Sequence, residues 1–426
     1  MFTKRRALAL VAAAATGLVV VTGWSAGAEE PTAAPSPDRG LYRVTAAKDD
    51  AMDAASRTEV ASSGVDVLGA RDGAMEIVAG PAQAAALRSD GFTLELTGDV
   101  DELLAERSGG PSTRDVSAAD FPAGDESYHT YDEMVAEVRA AASDHAAISA
   151  LSSVGSSYEG RDLPVLKISD NAATDEDEPE VLFTCNMHAR EHLTTEMCLH
   201  IIQRFTDGYG TDQAVTGFVD SREIFVVPSL NPDGSEFDIS GGEYQGWRKN
   251  RQPNSDGTVG TDINRNFSYL WGCCGGSSGS TSAEDYRGAS AASTPEVAAL
   301  QAWVDARQIK AHIDFHTFSE LVLWPFGHTY DEVTDGMTQE EYDHFEDIGT
   351  QMASSNGYTP DQSSGLYITD GDINDWMWGE HKVLTYCFEM YPSGGGIDGF
   401  YPPDEDIVPQ TTRNDGAVDI LLTNAG

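Results

Sequence analysis

A histidine and a glutamate stand three residues apart shortly after the apolar run Val181–Phe183, in His188-Ala189-Arg190-Glu191. An imidazole and a carboxylate at this spacing can bind one zinc ion from the same side. A catalytic zinc site typically has three protein ligands and one position for water, so a third ligand must come from elsewhere. His316 is the best candidate, because it ends the alternating run that begins at Ile309 and so has the same strand-end context.

A second metal-binding arrangement is available in the same segment. His188 and His192 are four residues apart and Glu196 follows, so a helix through this segment would place all three on one side. Six other histidines have no second ligand nearby and are expected to be structural or exposed: His129, His145, His200, His328, His344 and His381.

Three further segments are suited to hydrolysis at a zinc site. Glu389 is a lone carboxylate at the end of an aromatic strand-like run and can act as general base and proton shuttle. Arg248 belongs to a basic segment that can stabilise a developing oxyanion. Asn264 and Arg265 pair an amide with a guanidinium, which can clamp a free substrate C-terminus. Taken alone, these segments would be an exposed carboxylate, a solvated basic face and a structural turn. The proposed metal site favours the functional interpretation.

Charge and cysteine content exclude several classes of protein. The chain has 70 acidic and 26 basic residues and a net charge of −44, which disfavours nucleic acid and anionic membranes as partners. Its five cysteines are too few for a disulfide scaffold. Cys185 and Cys387 stand in apolar runs and are expected to be buried thiols. The adjacent Cys273 and Cys274 permit either a vicinal bridge or separate partners.

The N-terminus has the pattern of a secretory signal peptide over residues 1–28. Basic residues precede the apolar run 7–21, and Ala26-Gly27-Ala28 matches a small-residue cleavage site, so the mature protein is expected to be secreted. A retained membrane anchor is the alternative, because the apolar run is near the spanning length. Residues 29–40 are expected to form a linker, because Pro and Ala are frequent there.

Two folded units are predicted after the linker. The rhythm of residues 41–96 is β-α-β-β-α-β, which indicates a small ferredoxin-like unit. Arg107 and Arg114 flank small, flexible residues accessible to a trypsin-like protease, so residues 41–114 are expected to be a cleavable pro-segment. Residues 115–426 alternate helical periods with apolar strand-like runs, which predicts an α/β fold with helices on both faces of a sheet. Ligands bind at the carboxyl ends of the strands in such folds.

Eight segments, in order along the chain, resemble the zinc metallocarboxypeptidases of the carboxypeptidase A/B superfamily, most closely the secreted bacterial carboxypeptidase T type. They are 188–192, 231–234, 247–251, 264–266, 271–276, 315–317, 367–372 and 388–392. The resemblance covers about residue 120 to the C-terminus and implies a mixed central sheet. It also implies a monomeric zinc exopeptidase that releases single residues from peptide or protein C-termini, with the pro-segment as its intramolecular inhibitor.

The resemblance also implies roles for individual residues. The zinc ligands would be His188, Glu191 and His316, with Glu389 as the base and Arg248 as the oxyanion stabiliser. The substrate's terminal carboxylate would be held by Asn264, Arg265 and the mobile Tyr367, with Arg190 lining the neighbouring subsite.

The pocket for the last side chain of the substrate is expected between Tyr367 and Glu389. This segment offers Asp370, Asp372, Asn374 and Asp375, and acidic groups there favour Lys or Arg. The resemblance associates Asp372 with acceptance of both basic and apolar residues and places Asn374 at the pocket floor, so broad specificity is expected. One departure from the family is Phe318, where a tyrosine is usual, and the missing hydroxyl should weaken a substrate contact.

An acidic loop before the strand that leads to His188 is a candidate calcium site, because calcium prefers oxygen ligands. The resemblance to a calcium-binding type favours this interpretation over a solvated loop. The expected ligands are Asp170, Asp175, Glu176, Glu178, Glu180 and Glu223.

Two other functions fit parts of this pattern. A related zinc amidohydrolase acting on cell-wall peptides or acylated amino acids would not need the carboxylate clamp of Asn264, Arg265 and Tyr367. A secreted peptide-binding module without turnover would be expected to lack a zinc ligand or the base, and none is missing.

Overall fold

The computed structural model describes residues 37–47, 50–109 and 120–426. The predicted signal peptide, most of the predicted linker and Arg114 lie outside these residues. Within the described residues no helix combines the length and apolar character needed to cross a membrane.

The N-terminal unit has the predicted β-α-β-β-α-β order. Its elements are β1 (Gly40–Thr45), α1 (Ala54–Ala61), β2 (Asp66–Arg71), β3 (Ala74–Ala79), α2 (Pro81–Ser89) and β4 (Thr93–Asp99). The four strands pair antiparallel in the order β2-β3-β1-β4, as in a ferredoxin-like fold. A further helix, α3 (Val100–Arg107), was not predicted, and Asp99 caps its N-terminus by accepting from two backbone N–H groups.

The large unit is a mixed eight-stranded sheet with helices. Its strands are β5 (Ser149–Ser156), β6 (Asp162–Ile168), β7 (Glu180–Cys185), β8 (Glu223–Val227), β9 (Ile309–Thr317), β10 (Leu321–Trp324), β11 (Thr359–Gln362) and β12 (Leu384–Met390). Its helices are α4 (Tyr131–Asp144), α5 (His192–Gly208), α6 (Gln213–Val219), α7 (Pro232–Asp238), α8 (Pro295–Asp305), α9 (Gln339–Asn356), α10 (Ser363–Leu366), α11 (Ile373–His381), α12 (Ile407–Thr412) and α13 (Asp415–Asn424). The strand order is β11-β10-β12-β9-β7-β8-β6-β5.

The sheet is covered on both faces because its central strands are apolar on both sides. In β7, Val181 and Phe183 belong to a core with α4, α5, α9 and α13, whereas Leu182 belongs to a second core with α8 and α11. Successive side chains of a strand point to opposite faces, so the two cores lie on opposite sides of the sheet. The predicted α/β class, with a mixed sheet and helices on both faces, is confirmed.

The cysteine pairing differs in part from the prediction. Cys185 at the end of β7 forms a disulfide with Cys198 of α5, so the expectation of a buried thiol was wrong at Cys185. The reason is that α5 packs against β7 and brings the two side chains together across a separation of 13 residues. Cys387 has a free, half-buried thiol, and Cys273 and Cys274 form a vicinal disulfide.

Candidate active site

His188, Glu191 and His316 converge at the carboxyl ends of β7 and β9, which are neighbouring parallel strands. His188 Nδ1 lies 2.8 Å from one carboxylate oxygen of Glu191, and His316 Nδ1 lies 2.9 Å from the other. The two Nδ1 atoms are 3.1 Å apart, and all three side chains are buried. The structure therefore brings together the three residues predicted as zinc ligands.

The outer ring nitrogen of each histidine meets a carboxylate. His188 Nε2 is 3.3 Å from Asp262 Oδ1, and His316 Nε2 is 2.6 Å from Asp314 Oδ2. An ionised carboxylate can only accept, so each Nε2 donates its proton to an aspartate, and each Nδ1 is the ring nitrogen that can bind a metal ion in place of a proton. Neither aspartate was predicted as a site residue, although Asp314 alternates with His316 on one face of β9.

The two Nδ1 atoms and the Glu191 carboxylate have a geometry that fits a zinc ion. Two Nδ1 atoms and a carboxylate face one another, an arrangement that is favourable only with a proton or a metal cation among them. Two imidazoles and one carboxylate are a donor set known for catalytic zinc, with metal–ligand distances of about 2.0–2.2 Å. Tetrahedral geometry at those distances separates the ligand atoms by roughly 3.3 Å, close to the 2.8–3.1 Å between the donor atoms here.

The pKa shifts within this cluster also favour the binding of a cation. Burial opposes a charge on His316, yet Asp314 and Glu191 raise the pKa of its imidazole well above the usual value. Burial also opposes ionisation of Glu191, but His188 and His316 lower the pKa of its carboxyl. A proton and a metal ion compete for the same negative potential, so a site that holds a proton this firmly also attracts a divalent cation.

The alternative arrangement with His192 is excluded. Helix α5 begins at His192, so His188 precedes the helix and the i, i+4 relationship does not apply. His192 Nε2 lies 2.9 Å from Asp238, and Glu196 lies 2.9 Å from His129 Nδ1. His192 and Glu196 therefore have partners other than the predicted zinc ligands.

Glu389 is the predicted base and lies beside the predicted zinc ligands. It is near the end of β12, which runs parallel to β9 and pairs Glu389 with His316 in register. Burial raises the pKa of Glu389 to about 8; His316 acts against this rise and Glu191 reinforces it. A cation held at the neighbouring ligands would lower this pKa again.

Arg248 lines the same cleft as Glu389 and is held by Asp262. Its Nε and Nη2 atoms are 3.1 and 2.9 Å from Asp262 Oδ2. Asp262 therefore contacts both the His188 imidazole and the Arg248 guanidinium. One buried carboxylate thus fixes the orientation of a predicted zinc ligand and of the predicted oxyanion stabiliser.

One open cleft contains most of the predicted active-site residues. Its lining includes His188, Glu191, Arg248, Asn264, Arg265, His316, Phe318, Tyr367, Asp372, Asn374 and Glu389. Arg265 is fixed by bonds to the carbonyls of Gly276 and Asn264, at 3.1 and 2.7 Å. Asn264 Oδ1 accepts from Ile373 N, so the amide and the guanidinium are held on one wall.

Only part of the predicted acidic pocket faces this cavity. Asp370 is bound by the backbone N–H groups of Cys274 and Gly276 and by Ser277. Asp375 accepts from Gly327 N and from His328. These two carboxylates therefore serve the surrounding loops. Asp372 lines the cavity, and burial together with Asp375 raises the pKa of its carboxyl to about 7.

Arg190, which was predicted to line a neighbouring subsite, is in contact with the N-terminal unit. Its guanidinium is fully buried over the ring of Phe400, 4.1 Å from the ring centroid, and forms two bonds with Asp66 of the N-terminal unit. Phe318, the departure from the family pattern, is buried against the same Phe400, with ring centroids 4.9 Å apart.

The acidic loop forms two groups rather than one. Asp170, Glu176 and Glu178 make the first, and Asp175, Glu180 and Glu223 make the second. In the second group Glu223 already accepts from Lys167 Nζ at 2.6 Å and Glu180 accepts from Gln308 N at 2.6 Å. In the first, one oxygen each of Glu176 and Glu178 is buried without a hydrogen-bond partner among the described residues.

Comparison with known proteins agrees with this geometry. The signature of the zinc carboxypeptidase family, Peptidase_M14, matches residues 134–415. A zinc carboxypeptidase of Saccharothrix mutabilis subsp. capreolus is 49% identical over 429 residues, which cover 99% of this chain and 97% of the relative. Carboxypeptidase A1 of Bos taurus is 30% identical over 315 residues, covering 73% and 71%. The crystal structure of carboxypeptidase A from Helicoverpa armigera has the same fold, with a TM-score of 0.74, 21% identity and coverage of 92% and 98%.

The fold and the site define a metallopeptidase with a buried His-Glu-His centre. The chain belongs to the zinc carboxypeptidase family, and it is a metallocarboxypeptidase.

Proposed function

We propose that the chain is a secreted zymogen whose mature form hydrolyses the last peptide bond of peptides and proteins, with broad specificity for apolar and basic C-terminal residues. The observation that carries this proposal is the convergence of His188 Nδ1, His316 Nδ1 and the Glu191 carboxylate beside Glu389. A zinc ligand set next to a buried free carboxylate is what peptide hydrolysis by water requires.

Glu389 and Arg248 have separate roles in the proposed hydrolysis. Zinc, when bound, would supply Lewis acidity to the scissile carbonyl and to the attacking water. Glu389 takes the proton of that water and delivers it to the nitrogen of the leaving amine. Its burial suits this double role, because a desolvated carboxylate is a stronger base than one exposed to water. Arg248 stabilises the negative charge that develops on the carbonyl oxygen.

The part of the cleft formed by Arg265, Asn264 and Tyr367 is suited to the substrate's terminal carboxylate. Arg265 offers a guanidinium held in place by two backbone carbonyls, and Asn264 and Tyr367 lie in the same cavity. A fixed guanidinium binds a carboxylate in a charge-assisted, bidentate manner. This favours a free C-terminus over the amide or acyl substrates of an amidohydrolase.

Broad specificity is supported by the composition of the pocket. Asp372 and Asn374 line it, whereas Asp370 and Asp375 are bound elsewhere. A single carboxyl with a pKa of about 7 attracts a basic side chain when ionised and accepts an apolar one when neutral.

The zymogen proposal is supported by contacts between the N-terminal unit and the cleft. Val67, Leu68 and Gly69 of β2 line the active-site cavity. Arg57 of α1 donates to the carbonyl of Leu366 at 2.7 Å, and Ile368 N donates to Thr58 Oγ1 at 2.9 Å. The pro-segment thus holds the loop on both sides of Tyr367.

Maturation is proposed at Arg114 rather than Arg107. Arg107 donates to the Tyr401 carbonyl at 2.8 Å and to Asp125 at 2.8 Å, so its side chain is engaged with the catalytic domain. A protease needs an extended, accessible segment around the bond it cleaves.

We also propose calcium binding at the acidic loop, chiefly at the group of Asp170, Glu176 and Glu178. Two buried carboxylate oxygens without partners support an oxygen-loving cation there. The second group, Asp175, Glu180 and Glu223, already binds Lys167 and a backbone N–H. Calorimetric titration of calcium into the wild-type chain and Glu178→Gln tests the site, and equal binding by both would contradict it.

The test of the function is hydrolysis after trypsin treatment of the full chain. Peptides ending in Phe and in Arg should both be shortened by one residue, chelation should abolish both reactions, and zinc should restore them. A peptide ending in an amide should be resistant. Cleavage of only one of the two peptides would contradict broad specificity, and equal cleavage of the amidated peptide would favour an amidohydrolase.

A further inference from the structure

Three polar side chains occupy one face of the central strand β9. His312, Asp314 and His316 alternate along the strand and are all buried. The strands on either side present a threonine in register with this row, Thr385 of β12 beside His312 and Thr184 of β7 beside Asp314. Buried polar groups are costly unless they are fully hydrogen-bonded, so a row of this kind in an apolar sheet calls for an explanation.

The three residues of this row, the two threonines and Asn374 form one continuous chain of hydrogen bonds. It runs from the proposed pocket floor to a proposed zinc ligand. The contacts are Asn374 Nδ2–Thr385 Oγ1 at 2.7 Å, Thr385 Oγ1–His312 Nδ1 at 2.9 Å, His312 Nε2–Thr184 Oγ1 at 2.8 Å, Thr184 Oγ1–Asp314 Oδ1 at 2.5 Å and Asp314 Oδ2–His316 Nε2 at 2.6 Å. Asn374 lines the cavity in which the substrate side chain is expected.

The direction of these bonds follows from counting donors at the zinc end. The Asp314 carboxylate accepts from both neighbours, so the hydroxyl hydrogen of Thr184 points at Asp314. A hydroxyl has only one hydrogen. Thr184 Oγ1 must therefore accept from His312 Nε2, which fixes the proton of His312 on that nitrogen.

The directions of the two bonds nearer the pocket follow from the protonation state of His312. Burial lowers the pKa of His312 to about 4, so its imidazole is neutral and Nδ1 is an acceptor. Thr385 must then donate its hydroxyl hydrogen to Nδ1, and its oxygen can only accept from the Asn374 amide. The NH₂ group of Asn374 is thereby turned to Thr385, and its carbonyl oxygen is the acceptor that remains for the cavity.

We infer that His312, with Thr184, Thr385 and Asp314, is a positioning device that fixes both the tautomer of His316 and the amide orientation of Asn374. This inference rests on the proposed zinc and pocket roles of His316 and Asn374. Neither end of this hydrogen-bond chain can change its direction alone, because Asp314 can only accept and each of Thr184, His312 and Thr385 has its one donor and one acceptor already committed. A neutral histidine is suited to the central place, since it donates from one ring nitrogen and accepts at the other.

Three variants test this device on the full chain. Asp314→Asn changes the zinc end, Thr385→Val removes the pocket end without changing volume, and His312→Phe breaks the middle. The matched control is Thr206→Val, a buried threonine of α5 whose hydroxyl bonds only to backbone carbonyls of its own helix. Zinc affinity is measured by competition with a chelator, and the kcat/KM ratio for C-terminal Arg over Leu is measured after trypsin treatment.

Asp314→Asn should raise the zinc dissociation constant by about 10–100-fold, as for other carboxylates that hold a ligating histidine. Thr385→Val should leave zinc affinity nearly unchanged and lower the Arg/Leu ratio by about 2–10-fold, the value of one hydrogen bond. His312→Phe should change both quantities, and the control should change neither.

A purely structural role predicts a different pattern. In that case the variants would unfold at lower temperature while zinc affinity and the Arg/Leu ratio stayed at wild-type values, and the inference would be overturned. If His312→Phe does not fold, the Thr184→Val and Thr385→Val pair breaks the same chain isosterically. Failure of the wild-type chain to bind zinc would instead contradict the proposed function, so the two failures can be told apart.

Discussion

Asp66 and Arg190 form a bidentate ion pair, with Nη1–Oδ2 and Nη2–Oδ1 distances of 2.6 and 2.7 Å. Asp66 begins β2 of the N-terminal unit, and Arg190 stands between the predicted zinc ligands His188 and Glu191. The pair therefore joins the proposed pro-segment to the wall of the active site. It gives Arg190 a carboxylate partner in the place where the sequence predicted a substrate subsite.

Breaking this ion pair should weaken the inhibition of the active site by the proposed pro-segment. In Asp66→Ala the buried Arg190 loses its counter-ion, and removing one partner of a buried pair costs about 3–5 kcal/mol. Carboxypeptidase activity of the full chain before trypsin treatment should therefore rise by roughly 10²–10³-fold. The comparison is Glu95→Ala, an exposed carboxylate on β4 of the same unit. Equal activity of the two variants would show that the pair does not contribute to inhibition.

Glu389→Gln should separate catalysis from metal binding. The amide has nearly the same shape as the carboxylate but cannot take a proton from water, so turnover should fall by at least about 10²–10⁴-fold. Zinc content, measured by atomic absorption, should stay at one ion per chain. Loss of the metal together with the activity would mean that Glu389 is a ligand and that the base has been misassigned.

Arg265→Ala should abolish the preference for a free C-terminus. A hydrogen bond to a charged group is worth about 1.5–3 kcal/mol, so kcat/KM for the free peptide should fall by roughly 10–150-fold. The rate for the corresponding amidated peptide should change little, because that substrate has no carboxylate. Parallel losses on both peptides would indicate that Arg265 supports the fold or the metal site instead.

Specificity should depend on pH through Asp372. Its pKa is raised to about 7 by burial and by Asp375, so the carboxyl is neutral below this pH and negative above it. An ionised carboxylate attracts a basic side chain, and the kcat/KM ratio for Arg over Leu should rise about fivefold between pH 6 and pH 8. Asp372→Asn retains an N-cap for α11 and should make this ratio independent of pH. A wild-type ratio that stays flat over this range would contradict the role of Asp372.

The positions of several strands along the chain and the three candidate zinc ligands could be predicted because both follow from local patterns. Strand β7 is a continuous apolar run, and the histidine and glutamate follow it within the same segment. His316 was found by the same pattern at the end of β9. Parallel strands bring such ends to one edge of a sheet, which is why separate local predictions converged on one site.

Contacts between distant segments could not be predicted in the same way. The Cys185–Cys198 disulfide depends on how α5 packs against β7, and the Asp66–Arg190 pair depends on how two units meet. Asp314 is an intermediate case. The alternation of His312, Asp314 and His316 was visible in the sequence, but their hydrogen-bond partners lie on other strands.

The central claim is that one zinc ion binds among His188, Glu191 and His316, and anomalous diffraction at the zinc edge tests it most directly. Crystals of the zinc-replete chain should show one strong anomalous peak bounded by the two Nδ1 atoms and the Glu191 carboxylate. A peak at another place, or none in crystals of a chain that is active, would contradict it.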